Sequence, residues 1–243
     1  MPVQIYLAPH LDDAVLSCGG LIARQVAGDE PVTVVTVCAG DTPVGELTPF
    51  AVELHRRWGG EGSPVASRRA EDRMACGRLG ASVIHLEVVD AVYRRAKDAP
   101  LYPEEASIFG PLHPADLGLV AQLAALLADA CSLSAQIYCP AAIGGHVDHR
   151  LTRLAAERLD RPLWYYSDLP YAARGGRVPE DLEVPPGVHT VVPLADEEIQ
   201  TWVVAASEYR SQLSTFWPNP DALYKELAEY LDRLGGIPLW APG

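Results

Sequence analysis

The chain has 243 residues, 49% of them hydrophobic, with 19 lysines and arginines against 32 acidic residues and a formal charge of −13. That length suits one α/β domain over residues 1–243 with a well-buried core. The acidic balance speaks against a nucleic-acid binder, which needs a basic footprint, and no apolar run reaches the length of a membrane span. The first residues, Met-Pro-Val-Gln-Ile, lack the basic stretch of a signal peptide, so a cytoplasmic protein is expected. Five cysteines without Cys-x-x-Cys spacing read as reduced thiols in the core.

Val3 to Leu7 reads as a short buried strand, and the small and apolar residues from Ala14 to Ala27 as a helix ended by Gly28-Asp29. Between them lies Ala8-Pro9-His10-Leu11-Asp12-Asp13. One histidine and two carboxylates thus fall where a first strand hands over to a first helix. Open α/β sheets bind ligands at that edge. Imidazole and carboxylate are both zinc ligands, and only one of two adjacent carboxylates need take the metal. The plainer reading makes Asp12 or Asp13 a helix cap and His10 a hydrogen-bonded loop residue.

Pro31 to Val37 is a β-branched run of the buried parallel type. A connection rich in proline and glycine follows, Ala39 to Ala66, with His55 expected at the surface. Ser67 to Leu79 reads as a helix and Ser82 to Val89 as a strand ending at Asp90. After a second long connection, Ala91 to Ala115, a helical stripe of Leu119, Val120, Leu123, Leu126, Leu127 and Ala130 packs in the core. Gln136 to Cys139 is a strand. It leads through a Gly-Gly turn to His146-Val147-Asp148-His149-Arg150, which opens a helix to Leu159. Pro162 to Tyr166 is a strand ending at Ser167-Asp168. A loop from Pro170 to Gly187 leads to a strand around Thr190 to Val192, and Ala195 to Leu234 is mostly helical. His10, Asp12, Asp13, Asp90, His146, Asp148, His149 and Asp168 all follow predicted strands, and so share one rim of a mostly parallel sheet.

A zinc hydrolase needs about three protein ligands and an open position for water. His10, Asp13 and one histidine of the second stretch supply such a set. Water on zinc has its pKa lowered toward about 7. Asp12, beside the ligand Asp13, is the natural general base. The other histidine of the pair would stabilise the oxyanion as an imidazolium and later protonate a leaving amine, with Asp148 keeping it charged.

Ala-Pro-His-Leu-Asp-Asp at 8–13 together with Gly-Gly-His-Val-Asp-His at 144–149 resembles the PIG-L/LmbE-like family of zinc-dependent N-deacetylases. That family includes the glycosylphosphatidylinositol-precursor, mycothiol and bacillithiol deacetylases. Arg68-x-x-Glu71, Asp90-Ala91-Val92-Tyr93-Arg94, Tyr165 to Tyr171 and Tyr209-Arg210-Ser211-Gln212 extend the resemblance over nearly the whole chain. It implies a Rossmann-like fold with the active site at the carboxyl edge of the strands. It also implies one zinc ion per chain, exchangeable for other divalent ions, on His10, Asp13 and His149. Asp12 becomes the base, and His146, oriented by Asp148, the oxyanion stabiliser and acid. Arg68 and Asp90 fall where the family contacts substrate phosphate or sugar hydroxyls, and the implied substrate is an N-acetylglucosamine-type amino-sugar conjugate. Two departures stand out: Leu11 replaces the usual proline, and Gly144 replaces a tyrosine with which some relatives bind the oxyanion.

A His-His-carboxylate set also describes non-haem iron(II) oxygenases, but that reading leaves Asp12 without a role. A sugar- or metal-binding module without activity needs neither Asp12 nor His146. Ser17-Cys18-Gly19-Gly20 is not a dinucleotide fingerprint. Homo-oligomerisation is compatible with the sequence.

Overall fold

The computed structural model describes residues 1–59, 62–183 and 188–241. In chain order the elements are β1 (Gln4–Ala8), α1 (Asp13–Ala27), β2 (Val32–Thr36), α2 (Pro49–Trp58), α3 (Pro64–Leu79) and β3 (Ser82–His85). A small hairpin, β4 (Arg95–Ala96) and β5 (Ala99–Pro100), precedes α4 (Leu117–Ala130), β6 (Gln136–Pro140), α5 (Val147–Glu157) and β7 (Leu163–Tyr166). The chain then forms β8 (Val188–Val192), α6 (Asp196–Ala206), α7 (Arg210–Phe216), α8 (Pro220–Leu234) and β9 (Ile237–Ala241). Among these, no helix is long and apolar enough to cross a membrane.

Seven strands form one sheet in the order β3-β2-β1-β6-β7-β9-β8. The first five run parallel, and β9 pairs antiparallel with both β7 and β8. In β1 the strand alternation sends Tyr6 and Ala8 into a core shared with α1, α3, α6 and α8. Ile5 and Leu7 enter a second core under α4 and α5. A third cluster, including Leu11, Ala39, Ala51, Val92, Tyr102 and Val147, caps the carboxyl edge of the strands. The chain leaves β1 toward β2 and β3, then returns to β6 on the other side of β1. The crevice at that reversal is the topological switch point, the usual ligand site of an open α/β sheet.

Several expectations need correction. The Ala39–Ala66 connection holds a whole helix, α2, and α3 starts at Pro64 rather than Ser67. Both starts carry a capping residue followed by proline. Ala51 N donates to Thr48 Oγ1 (3.1 Å) and Ala66 N to Ser63 Oγ (3.3 Å). The third strand ends at His85, since beyond it the chain keeps only an isolated bridge between Glu87 and Cys38. In α4, Val120, Leu123 and Leu127 are buried at helical spacing, whereas Leu126 is 43% exposed on another face. His55 is half-buried, its Nε2 2.5 Å from Tyr93 Oη. Strand β9 was not foreseen, because Pro238 interrupts its apolar run. Residues 184–187 of the expected Pro170–Gly187 loop, and 60–61 of the Ala39–Ala66 connection, lie outside the described residues.

Gly19 and Gly20 serve packing. A Cβ on Gly19 would stand 2.2 Å from Cδ1 of Trp202. The indole of Trp202, fully buried on α6, donates from Nε1 to Val15 O (2.6 Å). Gly19→Ala is expected to destabilise the protein by about 1–3 kcal/mol through overpacking. Gly77→Ala, on α3 with open space around the position, should be neutral or stabilising by up to about 1 kcal/mol. Equal unfolding midpoints in urea for the two variants would contradict this account of the α1–α6 contact.

Candidate active site

His10 follows β1, and His146 and His149 open α5 after β6, so the switch point brings together residues far apart in sequence. Asp12 occupies the N-cap position of α1, yet its side chain makes no cap hydrogen bond. The neighbouring Asp13 turns back instead. Its Oδ2 accepts from the backbone N–H of His10 (2.7 Å), and lies 3.0 Å from His10 Nδ1 and 3.3 Å from His149 Nε2. Two imidazoles therefore converge on one carboxylate oxygen.

The outward nitrogen of each ring is held by a further buried carboxylate. His10 Nε2 lies 3.0 Å from Asp148 Oδ2, and His149 Nδ1 lies 2.6 Å from Asp168 Oδ1. Asp168 in turn accepts from Ile143 N (2.8 Å). A carboxylate behind each imidazole is the usual support of a metal-ligating histidine. Ring nitrogens of His10, His146 and His149 also lie within 4.8 Å of one another. The donor set of two imidazoles and one carboxylate fits a divalent cation and leaves room for water and substrate.

The charges follow the pairing of imidazoles with carboxylates. Burial opposes charge on His10 and His149, but the surrounding carboxylates together raise both, Asp13 with Asp148 and Asp90 at His10, and Asp13 with Asp168 at His149, the latter to about 10. Burial likewise opposes charge on Asp13, and His149 and His10 nonetheless hold it well below the usual carboxylate range. Asp12 differs. Burial and then the Asp13 charge push its pKa up to about 7, against the pull of Arg68 and His10. A carboxylate in that range is suited to exchange protons at neutral pH.

His146 departs from expectation. Its Nδ1 accepts the backbone N–H of Asp148 (3.1 Å), capping α5, which leaves Nε2 as the nitrogen free to carry a proton. Burial, then the charge on His10, lowers its pKa well below the ordinary value, so the surroundings favour neutral imidazole over the expected imidazolium. The Asp148 carboxylate serves His10 instead. It also accepts from Ala91 N (3.0 Å) and Arg94 Nη1 (2.5 Å).

Arg68 and Asp90 both line a cleft of about 350 Å³ over the centre. Arg68 stacks on Trp58 at 4.6 Å, with Nη2 3.9 Å from Asp12 Oδ1. Asp90 uses Oδ1 to cap the turn at Ala91–Tyr93, while Oδ2 lies 3.8 Å from His10 Nε2. Gly144 has φ +88°, and a Cβ there would stand 2.7 Å from Cγ of Tyr171, whose ring fills the space.

Sequence reasoning missed three supports. Arg94, buried, joins Asp148 to Asp116 (Nε to Oδ2, 2.8 Å), and Tyr102 Oη donates to the same Asp116 oxygen (2.9 Å). Ser211 donates from N and Oγ to Glu71 (3.0 and 2.6 Å), joining two stretches that looked separate in the sequence. That seats Gln212 in the cleft. The amide orientation that satisfies its neighbours puts its oxygen 3.2 Å from Trp58 Nε1 and 3.3 Å from Arg68 Nε.

Comparison with known proteins agrees with this site. The chain belongs to the PIG-L family, described as GlcNAc-PI de-N-acetylase, which matches residues 5–159. It is 29% identical over 256 residues to a 2'-N-acetylparomamine deacetylase of Niallia circulans, covering 96% of this chain and 86% of the relative. A 2'-N-acetylparomamine deacetylase of Streptomyces fradiae is 32% identical over 177 residues, 70% of this chain and 58% of that protein. A crystal structure of the zinc-inhibited form of teicoplanin deacetylase Orf2 superposes with a TM-score of 0.86 at 27% identity, covering 98% of this chain and 97% of that one.

Arg94→Met is expected to destabilise the protein by about 3–5 kcal/mol, because it strands the buried Asp148 and Asp116 without their cation. For a chain of this size that lowers Tm by roughly 6–20 °C. Arg56→Met, at an exposed pair with Glu53, should change little. A calorimetric Tm for Arg94→Met near that of Arg56→Met would contradict the role given to Arg94.

Proposed function

We propose that this chain is a metal-dependent N-deacetylase that hydrolyses the acetamide of an amino-sugar conjugate to acetate and a free amine. The observation that carries the reading is the convergence of His10 Nδ1 and His149 Nε2 on Asp13 Oδ2, with Asp12 and His146 beside them in one cleft. His10, Asp13 and His149 would hold one divalent cation, zinc or an exchangeable ion. Bound there, the cation supplies a Lewis acid and lowers the pKa of a coordinated water.

The remaining chemistry falls to the side chains. Asp12 accepts a proton from the attacking water as it adds to the carbonyl carbon. His146, tied to the chain through Nδ1, donates from Nε2 to the oxyanion that develops. The proton that the departing nitrogen needs is the one Asp12 took, so His146 need not be charged. Asp148 and Asp168 position His10 and His149. Asp90 Oδ2 is suited to a ring hydroxyl. Arg68, stacked on Trp58 in the cleft, is suited to a sugar hydroxyl or an anionic oxygen of the substrate. The similarity to deacetylases named for acetylparomamine and teicoplanin supports an N-acylated amino-sugar conjugate. Five buried cysteines held as thiols fit a reducing compartment, and the cytoplasm is the proposed location.

Asp12→Asn should keep its metal and lose about 10²-fold or more in kcat. His149→Ala should lose the metal and keep its fold, since a catalytic site is not the source of stability in a domain with this core. Metal analysis and circular dichroism on both variants check this. Full metal occupancy in His149→Ala, or metal loss in Asp12→Asn but not in Asp13→Asn, would overturn the assignment of ligands and base.

A further inference from the structure

The chain contains three phenylalanines, and all three, Phe50, Phe109 and Phe216, line the cleft over the centre. Phenylalanine is among the residue types most often buried in cores. Here none is fully buried: Phe50 and Phe216 are half-buried at the rims of two cores, and Phe109 is 40% exposed. They come from α2, from the segment after Ile108 and from α7, three separate parts of the chain that converge at one opening. Trp58 and Tyr171 extend the aromatic wall. Phe109 stands edge-on to His146 at 5.5 Å and to Tyr171 at 6.1 Å, so the wall is continuous with the reacting centre.

The charges at the mouth are already paired. Arg174 grips Glu226 with two bonds of 3.0 Å and donates to Phe216 O (2.9 Å). Arg57 lies 3.2 Å from Glu53 and 3.7 Å from Glu105. The mouth therefore presents apolar area rather than an uncompensated cation or anion. The base of the cleft is the opposite. Asp12, Asp13, Asp90, His146 and His149 are all buried there. A volume of about 350 Å³ is within the range of pockets that take a drug-sized molecule.

We infer that the substrate carries an apolar, ring-bearing aglycone beside its N-acylated sugar, and that Phe50, Phe109 and Phe216 form the subsite for it. This rests on the amino-sugar reading above and names the chemistry of the rest of the conjugate. The sugar lies over the polar base with its short acyl group toward His10, Asp13 and His149. The aglycone projects from it onto the aromatic wall, where offset or edge-on contact with rings adds to the area removed from water.

Calorimetric binding to the metal-loaded protein tests this independently of turnover. The probes are phenyl and methyl N-acetylglucosaminides as both anomers, methyl N-octanoylglucosaminide, and 2'-N-acetylparomamine as a cationic conjugate. At least one phenyl anomer is expected to bind about tenfold more tightly than its methyl counterpart, equivalent to about 1.4 kcal/mol. In Phe50→Ala and Phe216→Ala the phenyl-to-methyl ratio should fall toward one. Phenyl and methyl glycosides of equal affinity in the unsubstituted protein would overturn the inference. So would a gain confined to the octanoyl compound, which assigns the apolar wall to an acyl chain, or tighter binding of the cationic conjugate. Amine release from the same compounds is scored separately. Its absence alongside a strong phenyl preference would reject the deacetylase reading and leave the aromatic subsite standing.

Discussion

Asp148 is the contact on which the rest of the site depends. Its carboxylate is fully buried, and a charge in such a place persists only when its oxygens are satisfied. Three groups satisfy them: the imidazole of His10 after β1, the backbone N–H of Ala91 after β3, and the guanidinium of Arg94. One side chain on α5 thereby ties the ends of two strands and the segment between β3 and α4 into a single piece. Burial works against its charge, and Arg94 and then His10 hold its pKa well below the usual carboxylate range despite this. Removing Arg94 would take away the principal counter-charge of this buried ion.

The arrangement also explains how a chain this acidic can gather so many carboxylates in one crevice. Each has its own set of counterparts, with His10 and His149 each shared by more than one carboxylate. Asp13 faces two imidazoles, Asp148 an arginine and an imidazole, and Asp168 an imidazole and a backbone N–H. Asp12 has the weakest partner, an arginine 3.9 Å away that is shared with Trp58 and Gln212. Burial raises the Asp168 carboxyl as well, and Asp12, with the Asp13 charge added to burial, rises to about 7. The difference between the proposed ligand and the proposed base therefore comes from surroundings, since Asp12 and Asp13 are the same residue type one position apart.

Much of this was legible in the sequence because strand ends were legible. Once β1, β6 and β7 are read from their apolar runs, His10, Asp13, His146, His149 and Asp168 fall on one rim by topology alone. Capping was the competing reading for Asp12, and the geometry of its side chain excludes it. What stayed hidden has local causes. Arg94 and Asp116 sit in a proline-rich connection whose path no periodicity reveals. The start of α2 was marked by Thr48-Pro49, a signal outweighed by the glycines around it. The partner of Glu71 is Ser211, and a contact across 140 residues leaves no trace in spacing. Spacing pairs the Asp148 carboxylate with His146, but a histidine at a helix N-terminus can cap with its ring, and here it does, while that carboxylate reaches His10.

The antiparallel strand β9 lies between β7 and β8, although it is the last of the sheet strands in the chain. During synthesis the edge of β7 thus emerges about seventy residues before its neighbour, counted from the two element positions. Until then its row of backbone amides and carbonyls has no partner on that side, and β8 has no sheet to join. The parallel half of the sheet, β3-β2-β1-β6-β7, thus precedes in sequence the strand that joins β8 to it. The edge of β7 is a place for association with other chains for as long as β9 is not paired with it.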